Sequence, residues 1–67
     1  MCQISVLLDM EDRQETVMEN VTALEVTPEG VSVRSLFEEP KLVVGARVRR
    51  IDFLGGTVTL AGPDREV

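Results

Sequence analysis

Among side chains that bind metals or act as nucleophiles, the 67-residue sequence offers a single cysteine, Cys2, and no histidine. The missing imidazole excludes Ser-His and Cys-His catalytic arrangements and histidine metal clusters. Carboxylates are plentiful, with 12 Asp and Glu residues in the chain. They fall in polar runs such as "EDRQE" and "FEEP", and adjacency within a run does not hold two carboxylates across a substrate, as acid-base catalysis needs. Glu38 and Glu39, next to Pro40, therefore read as a solvated break between strands. The glycines occur singly or as the pair Gly55-Gly56, without the spacing that cradles a phosphate. Nothing in the residue inventory points to an enzyme.

Cys2 itself has two readings. It is in phase with Ile4, Val6 and Leu8, so it fits a small apolar residue at the start of a strand, a common place for a free thiol. It is also a soft donor beside backbone nitrogens, a set that suits nickel(II) or copper(II) in a tetragonal or square-planar field. One cysteine rarely completes a metal site. In a twofold dimer, however, two copies of the same patch meet at the axis, and two sulfurs become available.

With seven Lys and Arg against 12 Asp and Glu, the net charge is −5. That sign opposes nucleic-acid binding, which draws most of its affinity from neutralised phosphates. The local exception is "RVRR". At strand spacing Arg47 and Arg49 share a face and Arg50 points the other way, so the run reads first as a solvated, charged edge strand protected from stray pairing, with contact to an anionic partner as the alternative. "ISVLL" is too short for a membrane span or a signal-peptide core, and no basic segment precedes it. The expectation is a cytoplasmic protein with no membrane or nucleic-acid partner, in a reducing compartment that keeps Cys2 as a thiol.

The elements that would position these groups follow from the apolar period. A chain this short buries little surface, and one cysteine cannot form an intrachain disulfide, so a metal or oligomerisation must supplement the core. "CQISVLL" alternates as a half-buried strand. "DMEDRQE" reads as a hairpin loop, and "TVMENVTALEVT" as two short strands broken at Glu19-Asn20, with Leu24 and Val26 facing inward. "TPEG" predicts a tight turn, with Gly30 where a positive φ is cheap. "VSVRSLF" returns as a strand, and "KLVVGARVRRIDFL" is one long or two bent strands with a kink at Gly45. Gly55-Gly56 predicts a two-residue hairpin turn before "TVTLA". The expected fold is all-β: one domain over 1–67, a small open barrel or sandwich of about six short antiparallel strands with a polar tail at 62–67.

The opening "MC" before an alternating strand, "VMENV", and above all "GVSVRSLFEEPKLVVGARVRRIDFLGGTVTL" together resemble the CooT family. These are small nickel-binding accessory proteins of carbon monoxide dehydrogenase maturation. The order and spacing of Leu36-Phe37-Glu38-Glu39, Lys41, Val43-Val44-Gly45 and Ile51-Asp52 carry the resemblance, which spans the chain except its tail. It implies an all-β homodimer that binds nickel(II) at the subunit interface through Cys2, with the backbone nitrogens of Cys2 and Gln3 as companion donors. It also implies a nickel enzyme or its maturation ATPase as partner. A second family beginning "MC", the HypC-type hydrogenase maturation chaperones, is similar in size. It continues with a proline-containing run where this chain has Gln3-Ile4-Ser5-Val6, and is the alternative beside a metal-free β-barrel adaptor.

Overall fold

The computed structural model describes residues 3–62. Seven strands follow one another: β1 Ser5–Asp9, β2 Gln14–Met18, β3 Val21–Thr27, β4 Gly30–Ser35, β5 Lys41–Val44, β6 Arg47–Asp52 and β7 Thr57–Ala61. They form a four-stranded sheet in the order β2-β1-β7-β6 and a three-stranded sheet in the order β3-β4-β5. The all-β class and the sandwich-like architecture agree with the sequence pattern. The strands number seven rather than about six, and one neighbouring pair, β1 with β7, runs parallel from Ser5↔Thr57 to Asp9↔Ala61. A parallel pairing of the first and last strands leaves no signature in local periodicity, because it is made across the whole length of the chain.

The chain changes sheets at two corners. The first, at Glu19-Asn20, links β2 to β3, and Asn20 takes φ 58°, a left-handed conformation that Asn tolerates better than most residues. The second, at Gly45-Ala46, links β5 to β6, with Gly45 at φ 80°. Here "KLVVGARVRRIDFL" resolves into two strands of different sheets. The Gly45 N–H donates to the Glu29 carbonyl at 2.7 Å, which ties the corner to the β3–β4 turn.

Between the sheets lie Val6, Met18, Val21, Val31, Val33, Ala46, Val58 and Leu60, with Ile4, Leu8, Val17, Leu24, Val43 and Val48 packed around them. β4 packs across both β2 and β6, which closes the two layers. Val6, Val31, Val33 and Leu60 are fully buried, each contributing about 1.5–3 kcal/mol through removal from water. No aromatic ring enters this core: Phe37 and Phe53 are 79% and 85% exposed. Val26, expected to face inward, is 66% exposed. It pairs with Val31 and shares its face, but sits on edge strand β3 beyond the cover of the opposite sheet.

Both predicted turns form, with different chemistry from that expected. In Thr27–Gly30 the Thr27 hydroxyl accepts from the Gly30 N–H at 3.1 Å and donates to the Gly30 carbonyl at 3.0 Å. Gly30 is not at positive φ. Its value is close approach, since a Cβ there would fall on the Val43 carbonyl oxygen of β5. The last hairpin spans Phe53–Gly56 between Asp52 and Thr57, so the turn is longer than the two residues expected. Only Gly56 in it has positive φ, at 70°.

β6 is an edge strand, as its charge implies. The register, however, corrects the facing of its arginines. Arg47 pairs with Ala61, Val48 with Leu60, Arg50 with Thr59 and Ile51 with Val58, with an irregularity between Val48 and Arg50. The extra residue resets the alternation. Arg50 therefore shares the outer face with Arg47, while Val48 and Ile51 keep the inner one. Arg49 reaches across to Asp9 on β1 at 2.7 Å, and Asp9 also accepts from the Gln14 side chain at 2.9 Å.

Truncating the central contact tests this core. Leu60→Ala should cost about 2–5 kcal/mol by transfer plus cavity, whereas Leu42→Ala, on a half-exposed residue, should cost less than about 1 kcal/mol. Urea denaturation of both variants measures the difference.

Candidate functional site

The predicted site residues precede β1 in sequence. Cys2 is outside the described residues; Gln3 is inside them and exposed. The next residue is locked from two sides of the fold. The Ile4 carbonyl accepts from the Val21 N–H at 2.8 Å, which joins β1 to the first residue of β3. The Ser5 N–H donates to the Gly56 carbonyl at 2.9 Å, which joins β1 to the last hairpin. The Gln3 carbonyl packs so closely on Gly56 that a Cβ there would meet it at 2.7 Å. Glycine at 56 thus serves both the left-handed turn and the seating of the N-terminal strand.

Two apolar turns project from this same end of the fold. Val21, bonded to Ile4, pairs with Ser35 at the end of β4, and the chain continues directly into Leu36-Phe37. The Ser35 hydroxyl accepts from the N–H groups of Phe37 and Glu38, each at 3.1 Å, so the turn that carries this pair is held in one shape. The second turn, Phe53-Leu54, is held by the Asp52 carboxylate, which accepts from the Gly55 N–H at 2.9 Å. The Gly56 N–H donates to the Asp52 carbonyl at 2.8 Å and closes it. Leu36 is 83% and Leu54 100% exposed, alongside the two phenylalanines.

At this end the Val21–Ile4 bond joins the two sheets. Beside that bond lies an open groove of about 240 Å³, lined by Ile4, by residues 21–24 of β3 and by residues 51–53 of β6 and its turn. Ordered turns that hold Phe and Leu in water gain nothing for the isolated chain.

The donors distribute differently. Among the described residues no three His, Cys, Asp or Glu side chains converge on a point where they could hold a cation. Glu38 and Glu39 are exposed in the β4–β5 loop, and Asp52 is committed to its turn. Gln3, the residue that follows Cys2 in sequence, is exposed. Sequence reading missed the apolar turns. Their signal was present: Leu-Phe before Glu-Glu-Pro, and Phe-Leu before Gly-Gly, place large apolar pairs in turn contexts where burial within the chain is hard to achieve.

Comparison with known proteins gives two findings. A family model described as CO dehydrogenase accessory protein CooT matches residues 1–61. The fold is similar to a crystal structure assigned as CooT from Carboxydothermus hydrogenoformans, with a TM-score of 0.80 and 25% sequence identity, over 94% of this chain and 100% of that one. Among curated protein sequences, none matches this chain.

The packing at Gly56 yields a direct test. Gly56→Ala places a Cβ against the Gln3 carbonyl in a left-handed conformation and should cost about 1–2 kcal/mol from the backbone alone. The contact with Gln3 adds to that loss. Gly62→Ala, where a Cβ would stand 3.5 Å from the nearest atom, should be far milder in the same chemical denaturation.

Proposed function

This chain belongs to the CooT family of CO dehydrogenase accessory proteins, and from that membership we propose that it carries or stores nickel(II) for maturation of a nickel enzyme such as carbon monoxide dehydrogenase. The ion is its cargo. It binds through the Cys2 thiolate, with backbone nitrogens of Cys2 and Gln3 as companions, where two chains meet. The protein acts in the cytoplasm as a binding partner and not as a catalyst.

The observation that supports this reading most is the apolar end around Gln3. Leu36, Phe37, Phe53 and Leu54 stand exposed on turns at the end of the fold where Gln3 and Ile4 lead into β1. Burying these four side chains against a second copy supplies the apolar area that a short chain lacks internally. A twofold axis through that end brings two Cys2 thiolates together and makes a site that one chain cannot complete. Two thiolates with amide nitrogens form the soft, strong-field set that nickel(II) accepts in a square plane.

The chemistry of transfer follows from the ligands. A thiol must lose its proton to bind, so loading releases protons and weakens as pH falls. The same competition lets a partner that protonates or replaces a thiolate draw the ion out. An interfacial site adds a second control, since loosening the dimer removes half of its donors.

Cys2→Ser should abolish tight nickel binding with the β fold kept, because a hydroxyl stays protonated near neutral pH and is a poor ligand for a soft site. Titration calorimetry of the two proteins at one pH, with sulfur-to-nickel absorption as a second signal, checks this; equal affinities would remove the thiolate site. The expected stoichiometry is one nickel per dimer.

Charge in the apolar turns should break the pair. Phe53→Asp with Leu54→Asp should weaken dimerisation at least about a hundredfold, from the loss of two apolar anchors worth about 1.5–3 kcal/mol each. Sedimentation equilibrium of the metal-free protein reads this. Glu38→Gln with Glu39→Gln should leave nickel affinity unchanged, since neither carboxylate belongs to the proposed donor set.

A further inference from the structure

The sheet face opposite the core carries a feature that the nickel reading does not use. β6 holds three of the seven cationic residues of a chain whose net charge is −5. The irregularity between Val48 and Arg50 turns Arg50 to the side on which Arg47 stands. Arg49 is pinned on that face by Asp9 at 2.7 Å, and Asp9 is itself held by Gln14 at 2.9 Å. Without the added residue, regular alternation would send Arg50 into the groove wall, where Ile51 now stands. The half-buried Leu7 and Thr59 pair in register beside Arg50 and give the face a firm floor.

We propose that this outer face, centred on Arg50 and the pinned Arg49 with Arg47 beside them, docks an acidic segment of a partner protein. A guanidinium offers a planar fork of donors that matches a carboxylate, and a fixed fork loses little freedom on binding. The charge of the rest of the chain does not forbid this contact, because the Debye length at physiological salt is about 8 Å and distant charges are screened. Nucleic acid fits less well. Both phenylalanines lie on the turns at the other site, so no aromatic ring on this face can stack on a base. A second copy is disfavoured by position: Arg47 aligns with Ala61 and Asp9, at the end of β1 remote from Gln3. The face therefore stays open when two chains join through the apolar end, and docking there does not depend on nickel.

The test uses the metal-free protein and a fluorescein-labelled deca-glutamate peptide, with deca-glutamine and a short DNA duplex as competitors. Fluorescence anisotropy should show binding to deca-glutamate that weakens with salt, and none to deca-glutamine. Arg50→Glu should weaken it by about tenfold, as reversal of a charge at an interface does. Arg50→Gln should weaken it less and Arg50→Lys least. Arg34→Glu, an equal change of net charge on the exposed side of the other sheet, should leave the affinity near that of wild type once salt screens the distant charge. Circular dichroism verifies the fold of each variant. Three results would overturn the proposal: an equal loss in Arg34→Glu, no loss in Arg50→Glu, or DNA bound as tightly as deca-glutamate. Self-association of the free protein that Arg50→Glu abolishes would make the occupant a second copy and overturn it as well.

Discussion

The parallel pairing of β1 with β7 is the constraint on which the other features depend. It places the first described strand between β2 and β7 at the centre of the larger sheet. Val6 and Leu60, both fully buried, thereby reach the middle of the core. The same pairing sets Ser5 against Gly56 and Gly62 against the Asp9 carbonyl, so backbone bonds hold both ends of the strand pair. The β6–β7 turn is brought to the N-terminal residues by this contact, and the proposed ligand strand meets an apolar surface for that reason.

A core without aromatic rings is the second determinant. Two thin sheets enclose mainly valines, and the large apolar side chains that would enlarge the core stand outside it. Ser35 and Asp52 spend their hydrogen bonds on fixing the turns that display Leu36-Phe37 and Phe53-Leu54. In the proposed dimer, surface unused within one chain would be what joins two.

The charge distribution separates the two proposed surfaces in space. Apolar turns gather at one end of the strands, whereas the arginines of β6 lie on the outer face and extend toward the other end. One irregular residue in β6 produces the second surface, and the Arg49–Asp9–Gln14 chain of contacts holds it across β6, β1 and β2. Exposed ion pairs of this kind add little stability; their effect here is to fix the orientation of a side chain.

Local pattern determined much of this molecule. Alternation in "ISVLL" and "VSVRS", the turn at Thr27–Gly30, the bend at Glu19-Asn20 and the kink at Gly45 were all legible, because each depends on residues within a few positions of one another. The same holds for the family, whose motif order the chain preserves. What the tertiary structure decided involves partners distant in sequence. The β1–β7 pairing, the role of Gly30 beside Val43 and the seating of Gln3 on Gly56 cannot be read from any single segment. Nor can the facing of Arg50, since an irregularity is defined against the neighbouring strand. The exposure of Phe37 and Phe53 belongs with these: hydrophobicity drives a side chain out of water, but only the finished packing of two small sheets decides whether its own chain has room to receive it.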